Sequence, residues 1–151
     1  MMDTQHKIIE GLNLLNQSLG VISTVNDKGT PESTSIFFIH DEGLTLYFLA
    51  RKGSRKYKNI SKNPHVSFVV TSQAMSQTLQ LEGLASEVTD TKEEIAYFSK
   101  LVALTSEQMI MPPVSQSVGG EMAFMKITTT WARFGNFEVM KEGNKYIESV
   151  F

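Results

Sequence analysis

Apolar residues in the first segment, Ile8, Ile9, Leu12, Leu15 and Leu19, recur at helical spacing and predict a helix over 4–18, with Asp3 or Thr4 as its cap. From Gly20 the period shortens. Val21-Ile22-Ser23-Thr24-Val25 is β-branched and runs into Asn26-Asp27-Lys28-Gly29, a strong turn signal. Strands are predicted next over 33–39 and 44–49, separated by the turn His40-Asp41-Glu42-Gly43. Links this short cannot join parallel neighbours, so these three strands are expected to form an antiparallel meander. Residues 54–62 are polar and basic, with Tyr57 and Ile60 three apart, and read as a short helix ended by Asn63-Pro64. A buried-type strand over 66–70 and a longer one over 78–89 follow, and Gly83 in the latter marks a bulge or a close backbone approach. A further helix is predicted over 91–104, with Glu93 and Glu94 as favourable charge in its first turn. Pro112-Pro113 and Gly119-Gly120 mark 109–121 as a long loop, and two final strands are expected over 122–127 and 131–140. Strands dominate and the helices are peripheral, which predicts a mainly β (α+β) fold with a barrel or closed sheet.

Composition narrows the class. A chain of 151 residues suits one domain, here 1–151. Its apolar share of 41% and charged share of 20% are those of a globular protein, which excludes disordered and fibrous classes. A net charge of −2 gives no bulk attraction for nucleic acid or anionic membrane. The absence of cysteine removes thiolate nucleophiles and Cys-based zinc or iron–sulfur sites, and accords with a reducing compartment. His6, Lys7 and Glu10 make the amino-terminal segment too polar for a signal peptide, and no apolar run approaches the roughly 20 residues of a membrane span. The expected location is the cytoplasm.

One segment carries chemistry. Arg51, Lys52, Arg55, Lys56, Lys58 and Lys62 follow one another with no acidic residue between them. They lie where a strand ends and a short helix begins, with Gly53 giving backbone freedom and Ser54 at the cap. Helix-start N–H groups and the helix dipole favour an anion there. Ser54 can add a hydroxyl donor, Arg55 a planar fork and Lys56 a compact charge, so a phosphate monoester is the natural guest. The alternative, a solvated basic helix face, stays open on residue types alone. A nucleic-acid patch is disfavoured, because only Tyr57 interleaves with the charges.

The surrounding motifs form an ordered set. Gly29-Thr30-Pro31 precedes a strand, Leu46-Tyr47-Phe48 leads to Ser54-Arg55-Lys56, and Asn63-Pro64-His65-Val66 and Leu81-Glu82-Gly83-Leu84-Ala85 follow. Over about residues 19–88 this order resembles the pyridoxamine-5′-phosphate-oxidase-like FMN-binding split barrels, in particular their short, general-stress-type members. The resemblance implies an antiparallel split β-barrel with peripheral helices, and a homodimer holding two FMN molecules in clefts between the subunits. It implies that Ser54, Arg55 and Lys56 hold the flavin phosphate. The strand through Thr34, Ser35 and Ile36 would lie along the ribityl chain and ring, with residues 48–50, Leu49 among them, beside it. Thr78 falls near a polar cofactor contact of the family. Two departures stand out. The oxidase has an arginine on the strand after the Gly-x-Pro turn, where Thr34 stands nearest. It also has a carboxy-terminal segment with arginine and histidine that nothing after Phe137 resembles. Vitamin B6 oxidation is therefore not expected.

Other residues carry paired readings. Trp131 and Arg133 share a strand face and either meet the cofactor or pack at a subunit interface and in a surface ion pair. The loop 109–121 is either a lid or a plain connection. His6, His40 and His65 are isolated, so no metal site is expected. Met109, Met111, Met122 and Met125 read as core filling rather than a ligand pocket. The functional expectation is an FMN-binding flavoprotein acting as an oxidoreductase on an unknown small molecule, with no catalytic residue nominated. The alternatives are a non-catalytic flavin-binding stress or sensor protein, or a split barrel holding deazaflavin or haem. Haem would have only the histidines and methionines as axial ligands.

Overall fold

A computed structural model describes residues 3–15, 17–107, 121–137 and 146–151. Asp3 starts α1 (Thr4–Leu15) by accepting the His6 N–H at 2.7 Å, and the helix turns Ile8 and Leu12 into the core. β1 (Leu19–Val25) and β2 (Pro31–Phe37) form the first hairpin. In its turn the Asn26 side chain accepts the Lys28 and Thr30 N–H groups, and Gly29 takes a φ of 79°.

β3 (Ile39–His40) and β4 (Thr45–Arg51) pair with each other, and β4 pairs on its other side with β7 (Met122–Asn136). The remaining elements are α2 (Arg55–Lys62), β5 (His65–Thr71), β6 (Gln77–Glu87), α3 (Thr91–Glu107) and β8 (Tyr146–Val150). The strands run β2-β1-β5-β6-β7-β4-β3, with β8 beside part of β7, and neighbours are antiparallel throughout. The expected three-strand meander is thus corrected. Short links fix the antiparallel sense but not the neighbour, and the chain leaves β2 at Phe38 for the opposite end of the sheet. Phe38 is buried there, edge-on to Phe68 with ring centroids 4.9 Å apart. The sheet curls so that β2 and β4 meet without pairing, which makes it an antiparallel split barrel with, among the described residues, three helices around it. Ile22, Ile36, Phe48, Phe68, Leu79 and Leu81 fill its interior.

The two strands expected over 122–127 and 131–140 are one strand within the described residues. Glu82 pairs with Trp131 and Gly83 with Thr129, so Thr130 is an extra residue in β7. Before this bulge Ala123, Met125, Ile127 and Thr129 are buried, and after it Ala132 and Phe134. The parity switch puts Trp131 and Arg133 on the outer face. Gly83 meets both expectations, since a Cβ there would lie 2.5 Å from the Thr128 carbonyl oxygen. β8 was not legible as a strand. The loop 109–120 and residues 138–140 lie outside the described residues.

α3 packs over β4 and β7 through a second cluster of Tyr47, Val88, Leu101 and Phe124. Glu93, expected only as first-turn charge, also accepts the Tyr47 hydroxyl at 2.7 Å and the Lys126 ammonium at 2.9 Å. Burial pushes the Glu93 carboxyl up, but the hydrogen bonds from Lys126 and Tyr47 outweigh it and hold the group below its ordinary range. Among the described residues no helix is long and apolar enough to cross a membrane.

Candidate functional site

Ser54 shapes the start of α2. In extended conformation (φ −75°, ψ 156°), it donates its hydroxyl to the Arg51 carbonyl at 2.6 Å and accepts the Tyr57 N–H at 3.3 Å. In this structure the hydroxyl proton expected to face an anion closes the strand-to-helix turn. The N–H groups of Arg55 and Lys56 are left without intrahelical acceptors, at the positive end of the helix.

Beside this helix start lies a cleft of about 290 Å³ between α2 and the first hairpin. Ser54, Arg55 and Lys56 form one wall, with Thr24, Glu32, Ser33 and Thr34 opposite. Half of the local run of cations is paired with carboxylates from elsewhere in the chain. Lys52 pairs with Glu87 and Glu121, Lys62 with Asp27, and Arg55 with Glu32. Lys56 has no carboxylate within ion-pairing distance among the described residues. Burial, and then the positive charge of Arg51, hold its ammonium below the ordinary lysine range. A half-buried cation beside another cation is stabilised by whatever anion enters.

The other residues singled out in the sequence are spread more widely. Thr34 lines the cleft, whereas Ile36, two residues on, is buried in the core and Ser35 faces outward. Leu49 packs against the Tyr47–Phe124 cluster under α3. Thr78 donates weakly to the Val70 carbonyl at 3.4 Å, at the far end of the β5–β6 hairpin. Trp131 lines a second groove, of about 300 Å³, on the outer face of β1, β5, β6 and β7. The Arg133 guanidinium lies 5.9 Å from its ring and bonds Gln80 and Glu148. Groove and cleft adjoin, because Ser23 of the groove and Ser33 of the cleft share a hydrogen bond of 2.7 Å.

Sequence reasoning missed Glu32, Asn59 and Thr24. The Asn59 amide, buried on α2, donates to Glu32 at 2.6 Å and to Thr24 at 3.0 Å, tying helix to hairpin. Two signals were available: Glu32 shares strand parity with Thr34, and Asn59 lies four residues after Arg55 on one helix face. A larger concavity, of about 520 Å³, lies between α1 and α3 beside His40, Tyr97 and Lys100. None of the residues singled out for cofactor binding lines it, so volume alone does not identify the site.

Comparison with known proteins adds an independent line. The family model described as pyridoxamine 5′-phosphate oxidase matches residues 6–135. The pyridoxine/pyridoxamine 5′-phosphate oxidase of Salmonella paratyphi B is 31% identical over 78 residues, covering 52% of this chain. The match covers 35% of that enzyme, so the chain spans about a third of the curated relatives it matches. The crystal structure of General Stress Protein 26 from Bacillus anthracis superposes with a TM-score of 0.63 at 20% identity, over 85% of this chain and 93% of that one. A pyridoxamine 5′-phosphate oxidase-related, FMN binding protein from Nostoc punctiforme superposes with a TM-score of 0.65 at 9% identity, over 100% and 97% of the two chains.

Proposed function

As the chain belongs to the pyridoxamine 5′-phosphate oxidase family, we propose that it binds FMN, with the flavin phosphate in the cleft at the start of α2, and serves as a flavin-dependent oxidoreductase. The observation that carries this reading is Lys56, a half-buried ammonium without a carboxylate partner among the described residues, in the same cleft wall as Arg55 and at the helix start whose first two N–H groups lack intrahelical acceptors. Those four donors suit a dianionic monoester. Thr34 can donate from the β2 side, where the oxidase has arginine. Among the described residues no histidine or methionine lines this cleft, and its chemistry there fits a phosphate rather than haem iron.

When bound, the flavin supplies hydride or electron transfer at its ring. The chain's own residues have simpler tasks. Arg55 and Lys56 neutralise the phosphate, Ser54 keeps the helix start open toward it, and Asn59 fixes α2 against the hairpin. The groove beyond Ser23 and Ser33 offers the Trp131 ring as a face on which a planar group can stack. The same reading carries a homodimer, one domain per subunit over 1–151, with the cleft completed at the subunit boundary, and a cytoplasmic location. The substrate is left as an unassigned small molecule, and vitamin B6 oxidation is not part of the proposal.

The test is the visible absorbance of the purified protein before and after incubation with FMN and removal of excess. Retained flavin bands are expected, and their bleaching by a reduced nicotinamide nucleotide would mark the enzyme rather than the passive carrier. A colourless protein that retains no added FMN would sink the reading.

A further inference from the structure

Glu32 is the one carboxylate among the described residues lining the cleft, and binding a phosphate gives it no evident task. Its two oxygens differ. Oε1 accepts the Asn59 amide at 2.6 Å, and Thr24 holds that amide in turn. Oε2 is buried and takes no hydrogen bond; its partner is the Arg55 guanidinium, in an ion pair. The carboxylate is thus the fixed end of the pair, with its side chain 16% exposed, and Arg55, at 83%, is the movable end.

We infer that Glu32 is an internal counter-anion that holds Arg55 when no phosphate is bound and competes with the ligand for it, so that this carboxylate sets the affinity of the cleft for phosphorylated ligands. The inference rests on the flavin-phosphate reading above. A carboxylate beside an arginine can have the opposite effect, by orienting the guanidinium toward the ligand. Orientation recovers only the rotamer entropy of one exposed side chain. Competition acts on charge: Glu32 cancels much of the guanidinium's attraction and repels both negative charges of a phosphate monoester in a half-buried cleft. If Arg55 swings to the ligand, Oε2 also loses its partner while still buried, a cost that the unliganded protein does not bear. Competition is therefore the larger effect.

The experiment is a fluorescence-quenching titration of the wild-type chain and Glu32→Gln with FMN and with riboflavin, which carries the same ring and ribityl chain without the phosphate. Glutamine keeps an acceptor for Asn59, and a melting curve checks the fold; if that variant does not fold, Glu32→Ser is read in the same way. FMN is expected to bind Glu32→Gln about tenfold more tightly than the wild type, with riboflavin unchanged. An FMN affinity that stays the same or falls overturns the inference, as does an equal gain for both ligands. A wild-type chain that does not prefer FMN to riboflavin sinks the flavin-phosphate reading itself, and this inference with it. A wild-type preference that Glu32→Gln leaves unmoved sinks the inference alone.

Discussion

The Lys56 ammonium pays twice for its position, once in lost hydration and once in proximity to Arg51, and an arriving phosphate reverses both effects. That gives a pH dependence with a definite sign. The free protein's Lys56 pKa lies below the ordinary value of 10.5, and a bound anion raises it. Binding is therefore strongest while Lys56 is protonated in the free protein, and weakens as the pH rises through its lowered pKa. The charge of the phosphate is steady over this range, since a phosphate monoester has its second pKa at about 6. FMN affinity measured from neutral to alkaline pH should fall before 10.5 is reached, and Lys56→Met should bind more weakly and lose that fall. At this scale much of the site was legible. Ser54, Arg55 and Lys56 announce themselves as a cap and two cations at a helix start. Glu32 did not, because its significance lies in a partner 23 residues away, across a hairpin and a strand that do not pair.

Elements were legible in kind more than in pairing. The capped helix α1, the Asn26–Gly29 turn and the bulge at Gly83 follow from local chemistry. The partner of β4 does not, since two-residue periodicity specifies a face and not a neighbour. The threonine run Thr128-Thr129-Thr130 concealed a continuous β7, because its bulge breaks the apolar alternation that marks a strand. α3 is fastened by the hydrogen bonds that Tyr47 and Lys126 donate to Glu93, which gives an element-scale prediction. Glu93→Gln should cost about 1–2 kcal/mol in urea unfolding at neutral pH, as a partly buried charge-assisted pair is reduced to neutral bonds. The Glu93 carboxyl is held below its ordinary value of 4.5, so its stabilisation is complete above that pH and is lost as the pH falls through the folded-state value. Glu93→Gln should correspondingly flatten the acid limb of the stability curve. A variant as stable as the wild type, with the same acid limb, would remove this fastening from the account.

At the scale of the whole molecule, the split barrel matters because it brings the first hairpin, with Thr24 and Glu32–Thr34, and the sequence-distant Ser54–Lys56 to one cleft. The order of motifs suggested that meeting through the family resemblance; residue patterns alone gave a barrel without saying which edges meet. Arg55 and Lys56 lie at the cleft rather than in the core cluster, so both can be truncated without disturbing the closure of the sheet. The measurement that bears most directly on the flavin-phosphate claim is the FMN affinity of Arg55→Ala/Lys56→Ala against that of the wild type, with the melting temperature followed in parallel. A loss on the order of a hundredfold or more is expected from removing two charge-assisted contacts, with melting little changed. Unaltered FMN affinity in a folded double variant would place the phosphate elsewhere and contradict the account.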